Sequence, residues 1–288
     1  MLQLIVNPVA GNGRAKAIGE HVSQYLSEKG VEHALWLTEH TGHATELSQK
    51  AAQVGASIVV AVGGDGTVSE AAAGLAFTQT SLGLVPAGTG NDFMKALGIP
   101  KDWRSAVDLI LSRPAHTIDI GKVNEGFFTN VCGAGFDVMV LEYALLAKEH
   151  VRGILPYLYG VIRAIKNFKP FAMHIDIGDE IVLDGTYLLF SVANGKYFGG
   201  GIPIAPMADM ADGQFDVVVV DAIPRWKIPF YLPGLLGGKI NKYKITHHYR
   251  VSSCVLAATG MRIDWDGEIV PVERTAFTCQ AHALRVHS

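Results

Sequence analysis

Two glycine-rich segments constrain the fold of this chain more than any other feature of its sequence. Residues 58–62 are apolar at every position and lead into GGDGT at 63–67, while residues 82–85 are equally apolar and lead into PAGTGNDF at 86–93. A strand that is apolar throughout is buried on both faces, which is typical of a parallel sheet covered by helices. Both segments are therefore predicted to be turns at the carboxyl ends of parallel strands, where open α/β sheets bind their ligands.

The strand-then-helix order extends over residues 1–121, the predicted first domain. Short apolar runs predict strands, and helical spacing of apolar residues predicts the segments between them. Strands are expected at 2–6, 34–37, 58–62 and 82–85, and helices at 13–29, 44–53, 67–76, 92–97 and 104–111. This alternation predicts an α/β domain with an open parallel sheet.

Beyond residue 121 the pattern changes to many strands and few helices. One long helical region is expected at 138–168, interrupted near Gly153 and Pro156. Because few crossover helices separate the strands, we predict an antiparallel, β-rich sandwich as the second domain, residues 122–288, with the active site between the domains. A return of the last few residues to the first domain would be short. The predicted strands are 127–132, 173–177, 187–193, 215–220, 245–257, 262–265 and 277–284.

The GGDGT segment combines features that suit a phosphate group. Its glycines let the backbone turn sharply, and the helix that follows presents free N–H groups to an anion. Thr67 and Glu70 have the spacing of a capping box, which predicts the start of that helix. Asp65 lies at the same end, and a carboxylate beside phosphates makes sense mainly with a divalent cation nearby. The alternative is a plain glycine-rich turn that contains an aspartate.

Two further loops at this edge supply polar groups. Thr89 could donate to a phosphate oxygen, and Asp92 could hold a metal ion or cap the next helix. The segment from Asn7 to Gly11 follows the first strand and could close on a nucleotide from the other side. The chain has neither G-x-x-x-x-G-K-[ST] nor the third glycine of G-x-G-x-x-G, which disfavours a Walker ATPase and a Rossmann dehydrogenase.

Charge and cysteine content exclude several classes of protein. The 24 Lys and Arg are balanced by 27 Asp and Glu, so the formal net charge of -3 argues against nucleic acid as a partner. Cys132, Cys254 and Cys279 have neither disulfide nor CxxC spacing, and they predict free thiols in a reducing cytoplasm. With no recognisable signal peptide and no membrane-spanning run, we expect a cytoplasmic protein.

Four other segments narrow the interpretation of GGDGT, which NAD kinases and 6-phosphofructokinases share. They are Asn7-Pro8-x-x-Gly11, PAGTGNDF at 86–93, GGGIPIAP at 199–206 leading to Asp212-Gly213, and Asp266-Gly267-Glu268. In this order and spacing the chain resembles the bacterial soluble diacylglycerol kinase and lipid kinase family over nearly its whole length. The resemblance implies an NAD kinase- or phosphofructokinase-like first domain that binds ATP, with the lipid substrate bound toward the second domain.

The resemblance also implies roles for single residues. Glu268 takes the position of the general base toward the lipid hydroxyl, with Asp65 as a second catalytic carboxylate, and Asp65 and Asp92 lie near the catalytic Mg²⁺. A separate magnesium site is implied at Asp209, Asp212 and Gln214. The residues implied in ATP binding are Asn7, Pro8, Val9, Ala10, Gly11, Thr38, Gly64, Asp65, Gly66, Thr67, Val68, Ser69, Glu70, Thr89, Asn91 and Asp92.

Several alternatives stay open at this point. From spacing alone, Asp266-Gly267-Glu268 is an ordinary hairpin turn with solvated acids, and 209–214 is an ordinary turn. The function could also be that of a kinase of a soluble metabolite such as NAD, or of a non-catalytic regulator that binds nucleotide or lipid. The retention of Asp65, Asp92 and Glu268 together argues against the regulator. We expect an ATP-dependent kinase that phosphorylates a lipid alcohol, with diacylglycerol converted to phosphatidic acid as the favoured reaction. Which lipid alcohol is the substrate and the oligomeric state, including a homodimer, are left open.

The positions of the charges carry more information than their sum. Residues 150–171 and 225–250 together hold 10 of the 24 Lys and Arg and none of the 27 Asp and Glu, alongside several Tyr, Phe and Trp. Basic and aromatic residues without acids suit a surface that rests on anionic lipid headgroups. We therefore predict peripheral contact with an anionic membrane, against the alternative of a core helix and strands with solvated lysines.

Overall fold

The computed structural model describes residues 1–148, 155–178 and 181–288. In its first part strands and helices alternate as predicted, and every predicted element is present with its ends within two residues of the expected positions. The strands are β1 (Leu2–Val6), β2 (His33–Leu37), β3 (Ile58–Gly63) and β4 (Ser81–Pro86). The helices are α1 (Arg14–Glu28), α2 (His43–Gln53), α3 (Asp65–Leu75), α4 (Asp92–Ala96) and α5 (Trp103–Ser112).

The first four strands form a parallel sheet in the order β2-β1-β3-β4. The register aligns their carboxyl ends, because Val6 lies opposite both Leu37 and Val62, and Gly63 lies opposite Pro86. Nearly every residue of β1, β3 and β4 is buried, as expected for strands covered on both faces. All four loops that leave these ends therefore emerge at one edge of the sheet.

The second part is β-rich, and its strands pair antiparallel with one another, which confirms the predicted fold class. Its strands are β5 (His116–Val123), β6 (Gly126–Phe128), β7 (Val131–Gly135), β8 (Phe171–Ile177), β9 (Ile181–Ala193), β10 (Tyr197–Phe198), β11 (Ile202–Pro203), β12 (Phe215–Asp221), β13 (Thr246–Val251), β14 (Ser253–Trp265) and β15 (Glu268–Val286). Its helices are α6 (Phe136–Lys148), α7 (Leu155–Asn167) and α8 (Ile228–Leu236), with 3-10 turns at Arg225–Lys227 and Ile240–Lys242.

A long hairpin connects the two parts. Strands β14 and β15 pair from their tip, where Trp265 lies opposite Glu268, and β15 also pairs antiparallel with β5. The far end of β15 lies parallel to β4, with Val286 opposite Leu82. The parallel and antiparallel strands are thereby hydrogen-bonded into one sheet, and the chain returns to the first part at its C-terminus.

Three apolar clusters support this sheet. The first surrounds the parallel strands but also includes Ile118 of β5 and Leu284 of β15. The second lies among the antiparallel strands around Phe277, and the third packs α7 and α8 against the sheet through Ala164 and Ile228. Within the described residues, no helix is both long enough and apolar enough to cross a bilayer.

Several sequence predictions for the second part were wrong in detail. The predicted strand 127–132 is two strands, because the amides of residues 129–131 donate to a carboxylate from the hairpin tip rather than to a neighbouring strand. The predicted strand 245–257 is interrupted at Ser252, where the chain leaves β12 to pair with β15. Strand β5 and helix α8 were not predicted. Gly153, the first expected helix break, lies outside the described residues, and Pro156 lies in the first described turn of α7, where proline is tolerated.

Candidate active site

The two predicted glycine-rich turns meet backbone to backbone. Ala87 and Gly88 both donate their N–H to the carbonyl oxygen of Gly63, at 2.8 and 3.1 Å. A Cβ atom on Gly88 would overlap the Cα atom of Gly64, so the approach requires glycine. The turns after β3 and β4 are thereby held together as one unit.

The loop after β1 closes on the same edge. Asn7 Nδ2 donates to Thr67 Oγ1 at 3.0 Å, and Asn7 Oδ1 accepts the N–H of Val9 at 3.2 Å. Gly11 has a φ of 60°, and a Cβ atom there would overlap the carbonyl oxygen of Ala87. The loops after β1, β3 and β4 thus contact one another directly. Thr38, after β2, is buried at the same edge.

Helix α3 begins at Asp65, with Gly64 as its N-cap residue, and in the described part of the chain no side chain caps its first amides. The predicted capping box of Thr67 and Glu70 is therefore wrong. Thr67 lies inside the helix, and Glu70 Oε2 accepts the N–H of Ala44, at the start of α2, at 3.1 Å. The helix starts two residues earlier than predicted because the extended backbone of Gly64 already serves as its cap. The first amides are left for an anion, as the phosphate prediction requires.

Asp65 lies where the loops after β3 and β4 meet, close to the first residues of α4. Loss of hydration raises the pKa of Asp65 to about 6, and the negative charge of Asp92 adds to the rise. Asp65 Oδ1 accepts the N–H of Phe93 at 3.3 Å, and a Cβ atom on Gly90 would lie 2.7 Å from Asp65 Oδ2. The PAGTGNDF turn is thus closely fitted around this carboxylate.

Asp92 completes an acidic pair with Asp65. Its side chain is buried, which raises its pKa, and Lys95 offsets part of that rise. Asp92 Oδ2 accepts the N–H of Gly200 at 2.7 Å, whereas Oδ1 has no hydrogen-bond partner among the described residues. A buried carboxylate oxygen without a partner is costly, and beside a second carboxylate it suits a hard divalent cation. These residues fit a bound Mg²⁺.

The hairpin tip reaches α3 through Asp266. Its carboxylate accepts the Ser69 hydroxyl at 2.7 Å, the Thr129 N–H and hydroxyl at 2.7 and 3.0 Å, and the amides of Asn130 and Val131 at 3.1 and 3.3 Å. Asp266 itself has a φ of 46°, in the left-handed region that a tight turn uses. The tip is therefore fixed against the helix that begins with GGDGT.

Glu268 follows this anchor by two residues. It is the first residue of β15 and is exposed, opposite Trp265 in the hairpin. The intervening Gly267 donates its N–H to Asp264 Oδ1 at 2.7 Å. Backbone pairing on one side and the Asp266 contacts on the other fix the position from which the Glu268 carboxylate projects.

Comparison with known proteins decides the family. Residues 1–123 match the family model of the diacylglycerol kinase catalytic domain, and residues 130–288 match that of the YegS C-terminal NAD kinase beta sandwich-like domain. A diacylglycerol kinase of Bacillus subtilis (strain 168) is 31% identical over 271 residues, which cover 92% of this chain and 89% of the relative. The chain belongs to the diacylglycerol kinase family. It is a lipid kinase, and the family implies ATP as its phosphoryl donor.

Two further proteins are similar to this kinase over almost its full length. A diacylglycerol kinase of Mycobacterium tuberculosis (strain CDC 1551 / Oshkosh) is 29% identical, with 98% of this chain and 94% of the relative covered. A crystal structure from Bacillus anthracis str. Sterne matches with a TM-score of 0.81 at 27% identity, covering 99% of this chain and 96% of that chain. Membership of a lipid kinase family favours this function over the soluble-metabolite kinase and the non-catalytic regulator.

The acids predicted to form a separate magnesium site in the kinase lie in a tight turn. Asp209 Oδ1 accepts the N–H of Ala211 at 3.0 Å, and Asp212 Oδ1 accepts the N–H of Gln214 at 2.9 Å. The other oxygen of Asp212 is paired with the guanidinium of Arg250. The carboxylates thus already have partners within or beside the turn, and an ion here would share them.

Asp119 is a residue of the kinase that sequence reasoning missed. It is fully buried in β5, and its Oδ2 accepts the N–H of Gly213 at 2.6 Å while its own N–H donates to the carbonyl oxygen of Met210 at 2.6 Å. Its Oδ1 accepts the N–H of His282 at 2.8 Å. Asp119 therefore holds the 209–214 turn against β15. The sequence shows this residue only as an acid between two isoleucines, Ile118 and Ile120, a pattern that suggests a buried acid.

Two other carboxylates that the sequence analysis did not single out, Asp137 and Asp264, lie close to the β14–β15 hairpin tip of the kinase. Asp264 pairs with Gly133 across the strands, and a Cβ atom on Gly133 would overlap Asp137 Oδ2, so both acids occupy the same face at this point. Burial raises the pKa of each to about 7, and Asp137 contributes to the rise at Asp264. Asp264 supports the turn through the N–H of Gly267, and Asp137 Oδ1 has no hydrogen-bond partner among the described residues.

Proposed function

We propose that the kinase transfers the γ-phosphoryl group of ATP to the free hydroxyl of diacylglycerol and so forms phosphatidic acid. Diacylglycerol kinase is the name of the relatives that match over nearly the whole chain. The observation that carries the proposal is the place where the loops after β1, β3 and β4 meet. There Asp65 and the Asp92 oxygen that has no partner among the described residues lie beside helix α3, which the β14–β15 hairpin tip contacts. This arrangement supports phosphoryl transfer, which depends on positioning and on stabilisation of charge.

In this proposal ATP lies on the first domain, residues 1–121, and the lipid toward the second, residues 122–288. The uncapped amides of α3 and the adjoining glycine-rich turns would bind the phosphates. Asn7 to Gly11, Thr38, the segment from Gly64 to Glu70, Thr89 and Asn91 would contact the nucleotide. Glu70 would do so while its carboxylate also bonds the start of α2.

The proposed magnesium ligands at the centre of the site are Asp65 and Asp92. When bound there, Mg²⁺ would neutralise charge that develops on the phosphate oxygens. The second proposed site, at Asp209, Asp212 and Gln214, lies in the turn that Asp119 holds, so we assign it a role in support of the β-rich domain. Neither assignment is needed for the proposed role of Glu268.

Glu268 is the proposed general base. Its carboxylate would accept the proton of the lipid hydroxyl as the hydroxyl oxygen forms its bond to the γ-phosphorus. The bond between that phosphorus and the β,γ-bridging oxygen breaks, and ADP leaves with the bond's electron pair. Asp266 would act as a positioning residue, because its carboxylate is occupied by the hydrogen bonds that anchor the turn.

The proposed base can be tested by substitution with a control on the same strand. We expect Glu268→Ala to lower kcat with labelled ATP and diacylglycerol in detergent micelles by roughly 10²- to 10⁴-fold, the usual contribution of a general base. Glu273→Ala removes another exposed glutamate of β15 and should keep wild-type activity. Full activity of Glu268→Ala would rule out the base, and no phosphatidic acid from the wild-type protein would rule out the substrate.

We also propose that the kinase acts at an anionic membrane surface facing the cytoplasm. The acyl chains of diacylglycerol keep it in a bilayer, so a kinase with this substrate has to reach the lipid at an interface.

A further inference from the structure

Helix α7 presents its large apolar side chains outward, which is the reverse of an ordinary surface helix. Its buried stripe consists of the small or compact residues Pro156, Gly160 and Ala164. A Cβ atom on Gly160 would overlap the carbonyl oxygen of Val140, so α7 packs closely on α6 through its small residues. The exposed apolar side chains lie at helical spacing along the opposite stripe: Leu155, Leu158, Tyr159 and Ile162.

A second apolar surface lies on the 3-10 turn and α8. Trp226 is 68% exposed and Phe230 is 72% exposed, and their rings meet edge to face at 6.5 Å. Leu236, at the end of α8, is 59% exposed. Two neighbouring aromatic rings left in water are a feature of surfaces that bind lipid or protein, not of an ordinary solvated surface.

The two surfaces are joined, and the segments that carry them contain basic residues but no acidic ones. Arg225 Nη1 donates to the carbonyl oxygen of Lys166 at 2.6 Å, which fixes the 3-10 turn to the end of α7. The described segments 155–171 and 225–250 contain nine Lys and Arg and no Asp or Glu. Lys227 lies over the ring of Trp226 at 5.3 Å, so basic and aromatic groups are interleaved. We call the outward side of α7, the 3-10 turn and α8 the basic-aromatic face.

This face is connected to the acidic pair by a short series of contacts. A Cβ atom on Gly238, just after α8, would lie 3.0 Å from the ring of Pro203. Pro203 ends the β10–β11 segment, whose Gly200 donates to Asp92 and whose Gly201 accepts from Lys95. The face therefore adjoins the segment that closes over the phosphate loops.

We propose that the basic-aromatic face docks the kinase on an anionic bilayer, with Trp226, Phe230 and the α7 stripe inserted among the lipid headgroups. The inference rests on the proposed function, which requires access to a membrane-held substrate. Charge complementarity selects this occupant, because the helices and turn of the face carry four basic residues and no acid of their own, which matches anionic headgroups: Arg163, Lys166, Arg225 and Lys227. A second copy of the same chain is disfavoured, since a twofold interface would set these cations against one another.

The insertion is tested by binding of the full-length protein to vesicles. Vesicles of phosphatidylcholine with and without phosphatidylglycerol are sedimented with wild-type protein and with the double variant Trp226→Ser, Phe230→Ser. We expect the variant to lose roughly tenfold or more in partitioning onto the anionic vesicles. Val54→Ser removes an exposed apolar side chain of the first domain and should bind as the wild type does. Wild-type binding by the double variant would overturn the proposal.

The contribution of basic residues to membrane binding is tested by a second pair of variants. We expect Lys227→Gln to weaken binding to anionic vesicles by about fivefold at low ionic strength, as for one basic residue near a charged membrane. Lys101→Gln, which removes another exposed lysine, one of the first domain, should not weaken it. Equal binding of the wild type to neutral and anionic vesicles would contradict the charge argument. A wild-type dimer that the aromatic variant dissociates would assign the face to self-association instead.

Activity assays separate failure of docking from failure of the proposed function. With a short-chain diacylglycerol dissolved as monomers, the aromatic double variant should retain its rate within about twofold, since no insertion is needed. With long-chain diacylglycerol in anionic vesicles its rate should fall in parallel with binding. Loss of both activities together would overturn the docking role, whereas a wild-type protein inactive on both substrates would refute the proposed function alone.

Discussion

At the scale of the single residue, Asp266 organises the candidate site through contacts that are remote in sequence. The carboxylate accepts hydrogen bonds from Ser69 in the first domain and from the 129–131 segment in the second. Its partners lie at least 135 residues away along the chain. Hydrogen bonds to a charged group stabilise by about 1.5–3 kcal/mol each, and loss of this acceptor would leave several donors unsatisfied. Glu268 depends on Asp266 for its position.

Asp137 and Asp264 predict an unusual dependence of stability on pH. Burial raises the pKa of both to about 7, whereas an unfolded aspartate titrates near 3.8. Between about pH 4 and pH 7 the native state therefore holds protons that the unfolded state has released, so the free energy of unfolding contributed by these groups falls as pH rises. We expect Asp137→Asn to flatten that fall, measured by urea unfolding at several pH values.

A control for this prediction is Asp102, whose pKa is shifted the other way. Asp102 caps α5 by accepting from Ser105, and these hydrogen bonds lower its pKa. Its contribution is complete above the unfolded pKa and is lost as pH falls below it, so Asp102→Asn should leave the slope between about pH 5 and pH 7 unchanged. If Asp137→Asn kept the wild-type slope in that window, the buried-proton account would be refuted.

At the scale of the element, periodic apolar patterns were sufficient for the parallel sheet and its helices. They failed where local sequence conflicts with the tertiary environment. Helix α8 contains Pro229 and Pro233, which argue against a helix, yet Pro229 lies in the first turn, where a missing N–H costs nothing. Strand β5 has polar Asp119 inside it, and the partners that satisfy this acid come from the 209–214 turn and from β15. No local pattern could reveal those partners.

The close contact between the two glycine-rich turns gives a prediction at this scale. Gly88→Ala places a methyl group against the backbone of Gly64, so the turns must separate. We expect a loss of about 1–3 kcal/mol in the free energy of unfolding, typical of overpacking, together with weaker ATP binding. Gly66→Ala is the matched control, because a Cβ atom on Gly66 would meet nothing within 4 Å. Equal stability of the two variants in denaturant titrations would refute the close contact.

At the scale of the whole molecule, strand β15 connects the proposed catalytic base, Glu268, to the first domain. It begins at Glu268 on the hairpin tip and ends at Val286 beside β4, so one strand runs from the proposed base to the edge of the parallel sheet. The sequence predicted the fold class of both parts of the chain, but it could not predict that one sheet runs continuously through them. A single bridge, Val286 opposite Leu82, makes the parallel and antiparallel strands one sheet, and its apolar residues resemble those of any other strand.

His287 stabilises the contact between β15 and β4, and its hydrogen bonds give a prediction about how this contact depends on pH. Its Nε2 lies 2.9 Å from Ser81 Oγ, and its Nδ1 lies 2.9 Å from the carbonyl oxygen of Arg113. Burial lowers the pKa of His287, so the native state resists protonation and the stabilisation is lost as pH falls below about 6.5. We expect His287→Ala to lower the free energy of unfolding by about 1–3 kcal/mol near neutral pH, and by less in acid. His21→Ala, which removes an exposed histidine of α1, should leave this pH dependence unchanged. A loss that does not shrink with acidification would show that His287 contributes by packing alone.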